Sequence, residues 1–348
     1  MTENTTDIKK SAAKLVGILS QRNREVVSRR FGLKTGKKET LEAIGASYGI
    51  TRERVRQIEE ASLKMIKEDD QFQGSVQPHV RLAKNIVDQV GGVMNEKSLF
   101  SAFSGSEKPS STNAALVLML TLDGTTKRTP EDDNFHAFWS ISKDRSQEFK
   151  NSIATFISTL KQSKKVIADG VMADFLNGNA SLEGITVDTV NSYISISKKV
   201  GKNVYAEIGL TSWPEIKPRG VRDKSFLVLK KEGKPRHFRE ITQLINSTEF
   251  SPRKAHIQTV HNELIKDDRF VLVGRGIYAL SEWGYKSGTV KNVIADLIRE
   301  NGPMKKDEIV AKVLSARMVK QNTVLLGMQD KKIFNEDESG YVILVEEA

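Results

Sequence analysis

The chain has 348 residues, a net charge of +10, a pI near 9.4 and a 38% hydrophobic share. That length exceeds one small domain, the hydrophobic share allows folded cores, and the positive balance favours a polyanionic partner. The absence of cysteine excludes disulfides and cysteine-ligated zinc or iron–sulfur centres, and suits a reducing compartment.

The chain opens on the polar stretch MTENTTDIKK, and no apolar run approaches the length of a signal core or a membrane span. The expected setting is therefore the cytoplasm, at the nucleoid, without a membrane partner. Residues 1–67 hold 15 Lys/Arg against 8 Asp/Glu, so most of the net charge sits there. Lys37 and Lys38 fall in a short loop, where they suit phosphate contact. Leu41 and Ile44 then share one face of a predicted helix. Gly49 supplies the left-handed backbone of a sharp turn, with Ile50 tucked beneath it, and Thr51 is a good N-cap for a second helix. In that helix Val55, Ile58 and Met65 are expected to point inward. Arg52, Glu53, Arg56 and Gln57 are left on the opposite face of its first two turns, where a recognition helix meets base edges. Their chemistry suits base reading, since arginine pairs with guanine, glutamine with adenine, and glutamate accepts from the cytosine amino group. Thr51 and Arg54 are expected to position the helix on phosphates.

The runs Val26-Val27-Ser28-Arg29-Arg30-Phe31-Gly32-Leu33, Thr40-Leu41-Glu42-Ala43-Ile44-Gly45 and Gly49-Ile50-Thr51-Arg52-Glu53-Arg54-Val55-Arg56-Gln57-Ile58-Glu59 together resemble region 4 of bacterial sigma-70 factors. The resemblance covers about residues 10–68. It implies a helix-turn-helix that reads the −35 promoter element and holds the flap of the RNA polymerase β subunit. It also implies that Arg52, Glu53 and Gln57 touch bases, and that Arg56 touches a base or a phosphate. In a primary sigma factor an aromatic-rich helix that melts the −10 element precedes this region. Nothing before Val26 resembles it, so promoter melting is not expected of this chain.

Beyond Asp70 the chain reads as copies of one unit, each with an opening helix, a break, two further helices and a hairpin that closes on an aromatic strand. The closing strands are Phe138–Ile141, Tyr205–Ile208, Tyr278–Leu280 and Tyr341–Leu344, and their leading aromatics lie 67, 73 and 63 residues apart. One small domain per period fits that spacing. The expected fold class is mainly α with small β-hairpins: an N-terminal helix-turn-helix at 8–70, then tandem winged-helix units at 79–143, 146–214, 219–285 and 287–345. Gln71–Ser75 reads as the linker after the head, Ser104–Thr112 as a loop, and Trp213–Pro218 as a later joint. Ser251-Pro252 reads as an N-cap followed by proline at the first position of a third helix, so that Arg253 and Lys254 open it. Lys198, Lys199 and Lys202 crowd the second hairpin and Arg275 tips the third, all suited to phosphate contact. The fourth hairpin instead carries Glu336, Asp337 and Glu338, which suits a protein contact or a cap on the array.

The stretches KKEGKPRHFREITQLI and QTVHNELIKDDRFVLVGRGIYALSEWG are similar to the HARE-HTH family of winged helices. That family occurs in the δ subunit of some bacterial RNA polymerases, in chromatin-associated proteins, and fused to restriction or repair enzymes.

No phosphate-cradling or dinucleotide-binding glycine motif is present. His256 and His261 lie five apart, off a common helical face, and the acidic run Glu131-Asp132-Asp133 reads as a solvated loop. No enzyme activity, metal or cofactor is expected. The expected function is sequence-specific regulation of transcription, with double-stranded DNA as partner and RNA polymerase as a second one. The alternatives are a polymerase accessory subunit acting through protein contacts, and the recognition subunit of a restriction–modification system.

Overall fold

The computed structural model describes residues 2–285 and 288–345. Ser287, the expected first residue of the last unit, lies outside them. The chain divides into two compact units, one of residues up to 202 with 206–211, the other of 203–205 with 212 onward. No helix among the described residues is long and apolar enough to cross a membrane.

In the first unit, helices α1 (Thr2–Gly17), α2 (Gln21–Phe31), α3 (Leu41–Tyr48) and α4 (Arg52–Lys67) come first. Helix α5 (Phe72–Asp88), strand β1 (Val93–Asn95), helices α6 (Glu96–Ser104) and α7 (Ser111–Asp123), and strands β2 (Lys127–Thr129) and β3 (Phe138–Ser140) come next. β3 is the middle strand of an antiparallel sheet, with β1 on one side and β2 on the other. The unit ends with α8 (Lys143–Ser163), α9 (Met172–Asn177), α10 (Val187–Ile196) and the pair β4 (Val200–Lys202) and β5 (Ile208–Leu210).

Two hydrophobic clusters hold the head. The smaller is the trihelical core of Val26, Ile44 and Val55, one residue from each of α2, α3 and α4, with Leu41, Tyr48, Ile50 and Ile58 packed against it. The larger joins Ile8, Leu15, Val27, Phe31 and Ile66 to Val76 and Val80 of α5, Leu99 of α6, Leu116 of α7 and Trp139 of β3. Neighbouring residues on a helix point about 100° apart. Val26 and Val27 therefore face different clusters, and α2 becomes the shared wall between them.

Three expectations change here. Gln71–Ser75 is not a linker: Phe72 opens α5 and its ring is buried in the larger core. Met65 does not point inward and is 49% exposed, while Ile66 is fully buried. Eleven residues bring a helix back to within about 20° of Val55, whereas ten leave it roughly 80° away. Tyr205 is not on the closing strand either. It lies in the turn before β5, next to Ala206 at φ 61°, and meets Phe250 edge-on in the second unit.

The second unit comprises α11 (Val221–Glu232), β6 (Arg236–His237), α12 (Phe238–Ser247), α13 (Ile257–Lys266), β7 (Phe270–Gly274) and β8 (Ile277–Leu280). It continues with α14 (Val290–Asn301), β9 (Met304–Lys305), α15 (Lys306–Ala316), α16 (Gln321–Met328), β10 (Phe334–Glu336) and β11 (Tyr341–Leu344). Each half has its own three-stranded antiparallel sheet, with β8 between β6 and β7, and β11 between β10 and β9. The short strand after the first helix, unforeseen from the sequence, pairs with the last strand of its segment in both halves and also through β1 and β3.

The third helix of the 219–285 segment starts later than its Ser-Pro signal suggests. It begins at Ile257, capped by His256, whose ring nitrogen accepts from the Gln258 N–H. Arg253 and Lys254 lie in the loop before it. The Asn246 side chain holds that loop, accepting from the Ala255 N–H at 2.7 Å and donating to the Ala255 carbonyl at 3.0 Å. These bonds satisfy in a loop the backbone groups that an earlier helical start would have used.

Candidate nucleic-acid interface

The base-reading candidates sit on a helix whose start is tightly defined. Thr40 caps α3, accepting from the Ala43 N–H at 3.1 Å, and Thr51 caps α4, accepting from the Arg54 N–H at 3.1 Å. Between the helices Gly49 adopts φ 65°, the left-handed backbone expected of it. Thr51 thus serves the helix end; its hydroxyl proton is the part left for a phosphate.

Arg52, Glu53, Arg54, Arg56 and Gln57 are all exposed, while Val55 between them is fully buried. Four of these side chains are paired with one another. Arg56 donates through Nε and Nη2 to the Glu53 carboxylate, the latter bond 2.7 Å long, and through Nη1 to Glu60. Arg54 donates to Gln57 Oε1 at 3.1 Å. The Arg56 hydrogen bond is the main reason Glu53 titrates below the usual glutamate range, and the two carboxylates push the Arg56 pKa upward. Glu53 is therefore an ionised, oriented acceptor, and Arg56 is aimed by its neighbours before any ligand arrives.

A bracing network behind this face was not visible in helical periodicity. Arg29 donates to both oxygens of Glu39 at 3.0 and 2.6 Å and to Ser47 Oγ at 2.7 Å. Arg30 pairs with Glu59 at 3.1 Å and donates to the Glu39 carbonyl. Arg22 and Arg29 lie 5.5 and 5.7 Å from the centre of the Tyr48 ring. These contacts tie α2 to both helices of the motif, so the exposed face is held by its supports rather than by loop chemistry alone.

The outlying cations differ in their freedom. Lys37 and Lys38 are exposed in the loop before α3, and both line a cleft facing α6 and α7. Lys198 pairs with Glu131 at 2.7 Å and donates to the Asp132 carbonyl. Asp132 in turn accepts from the N–H groups of Asn134 and Phe135, which lowers its pKa. The acidic run is thus a built turn as well as an exposed one. Lys202 donates to Asn191 and Lys254 to the Asn246 carbonyl, while Lys199, Arg253 and Arg275 are exposed. Glu336 of the fourth hairpin is paired with Lys306. His261 stacks on Phe238 with ring centroids 4.3 Å apart. Among the described residues no group of three or more histidines and carboxylates has metal-binding geometry.

Residues 15–68 match the family described as Sigma-70, region 4. That region is a DNA-binding helix-turn-helix domain. The match spans α2, α3 and α4 with the end of α1, and so contains both the exposed face and its brace.

Proposed function

We propose that the chain is a sequence-specific DNA-binding regulator of transcription, acting by binding rather than by catalysis. The observation that carries this is the face of α4: Arg52, Glu53, Arg56 and Gln57 exposed together on the first two turns of a capped, braced helix. Docked in a major groove, that face presents a guanine reader, a cytosine reader and an adenine reader in one register. Lys37, Thr51 and Arg54 take flanking phosphates. The region 4 match supports promoter-type DNA as the target and RNA polymerase as a second partner.

We read the segments beyond α4 as winged helices. Their shared order of three helices and a closing hairpin supports this, with a short strand after the first helix in all but the 146–214 segment, and the 219–285 segment adds its HARE-HTH-like sequence. In the second and third of them Lys199, Lys202, Arg253 and Arg275 suit phosphate contact, whereas the acidic hairpin of the fourth suits a protein.

Selection of a preferred site from random duplexes, followed by binding of variants, tests the assignment. Arg52→Ala or Gln57→Ala should cost about 1–3 kcal/mol on the preferred site and relax choice at one base pair. Unchanged affinity on both preferred and scrambled DNA would show that α4 is not the reading element. Capture of core polymerase by the immobilised chain tests the second partner.

A further inference from the structure

A cleft of about 560 Å³ lies between the Gly36–Lys38 loop and the helices α6 and α7. Its apolar wall includes Phe100, Ala114 and Val117, and its cationic side includes Lys38 and Arg128. The loop is fixed against the opposite wall. Gly36 has φ 78°, and a Cβ there would lie 2.6 Å from the Ser110 backbone nitrogen, so only glycine allows this approach. Ser110 is also the N-cap of α7, whose first turns line the cleft through Asn113 and Ala114.

The charges inside do not balance. Glu96 is the carboxylate nearest to hand, but both of its oxygens are occupied. Arg128 donates to each of them, and the Trp139 indole donates to Oε2 at 3.0 Å. Lys38 forms no hydrogen bond or ion pair with any described residue. Lys38 is exposed at the mouth of the cleft, and partial desolvation by the cleft walls, then the like charge of Arg128, lower its pKa, with Glu96 opposing them and Arg30 adding to them. An anion entering beside Lys38 would relieve that repulsion. The volume lies in the range of small-molecule sites, and an aromatic and aliphatic wall beside a cation suits a ligand with a planar ring and a charged end. The exposed Glu107 at the rim can accept from hydroxyl or amino groups on such a ligand.

We propose that this cleft binds a nucleoside phosphate, with the phosphate on its cationic side beside Lys38 and the base against Phe100, Ala114 and Val117. The cleft adjoins the loop that leads directly into α3, so an occupant is placed to act as an effector of the reading head. The binding itself does not depend on the DNA-reading assignment, and its test needs no DNA.

Calorimetric titration of the full chain with ATP, GTP, CTP and UTP, and separately with adenosine and inorganic phosphate, decides the matter. At least one nucleotide should saturate a single site, with adenosine and phosphate each weaker by about tenfold or more. Lys38→Met should weaken the nucleotide about tenfold in a chain whose circular dichroism matches that of the wild type. Phe100→Leu should narrow the gap between nucleotide and inorganic phosphate. Arg52→Ala on α4 should bind nucleotide as the wild type does. The proposal is overturned if no nucleotide saturates at millimolar concentration, or if Lys38→Met binds unchanged. It is equally overturned if Arg52→Ala abolishes binding, which would place the phosphate on the DNA-reading face.

Discussion

At the scale of single residues, the first unit depends on carboxylates kept ionised by their partners. Glu96 is the most consequential. Burial alone would raise its pKa, but the hydrogen bonds and charge of Arg128, the charge of Lys38 and the Trp139 indole together hold it below the ordinary value of 4.5. A depressed folded-state pKa contributes stability above the unfolded value, and that contribution is lost as pH falls through the folded one. Glu96→Gln should therefore cost about 1–3 kcal/mol near neutrality, because Arg128 loses its charged acceptor. The gap from the wild type should close below the ordinary glutamate value. Denaturant unfolding of both proteins between neutrality and acid measures it, and a gap that stays constant with pH would remove Glu96 from the ion-pair role. Glu39, lowered chiefly by its hydrogen bond from Arg29, should show the same sign in a smaller effect, because the pair is more open to water. On the reading face, Glu53→Ala should do more than delete one base contact. It frees Arg56 from one of its two carboxylates, so selectivity should relax at the positions served by both residues. Site selection with Glu53→Ala checks this, and a change confined to one base pair would mean that Arg56 is aimed without Glu53.

At the scale of elements, α4 is one helix anchored in two cores. Val55 is fully buried in the trihelical cluster near its start, and Ile66 is fully buried in the larger cluster near its end. Ile66→Ala should cost about 2–5 kcal/mol, the range for a buried aliphatic residue cut to alanine. Met65→Ala should stay within about 0.5 kcal/mol, as an exposed substitution does. Reversed magnitudes would mean that the helix is rotated relative to this description. The 219–285 segment makes a second point about elements. Its cations at 253 and 254 sit in a loop pinned by Asn246 rather than on a helix, yet Arg253 and Arg275 remain exposed. If this segment touches DNA, Arg253→Glu with Arg275→Glu should lower affinity and flatten the salt dependence. Titrations at several salt concentrations read both quantities, and an unchanged slope would leave the segment to protein contacts.

At the scale of the molecule, the reading head is continuous with the helices and sheet after it. Ile8, Leu15 and Phe31 pack in one core with Val80, Leu116 and Trp139. A fragment ending at residue 70 exposes the head's side of that core, and should melt well below a fragment ending at 211; equal midpoints by circular dichroism would show that the head folds independently. Much of the head was legible in the chain itself. The turn glycine at 49, the cap at 51 and the outward set Arg52, Glu53, Arg56 and Gln57 follow from backbone freedom, N–H satisfaction and a 3.6-residue period, all of which act over a few residues. The hairpins at β7–β8 and β10–β11 and the recurring segment order were legible for the same reason. Other features depended on residues far apart in sequence. These include the choice of Ile66 over Met65 as the buried residue, the Arg29–Glu39 and Arg30–Glu59 braces, the short strands that complete the three-stranded sheets, and the cleft that brings Lys38 near Arg128. Local periodicity states which side chains share a face. Only the packing of one face against another decides which of them is buried, paired or left facing a cleft.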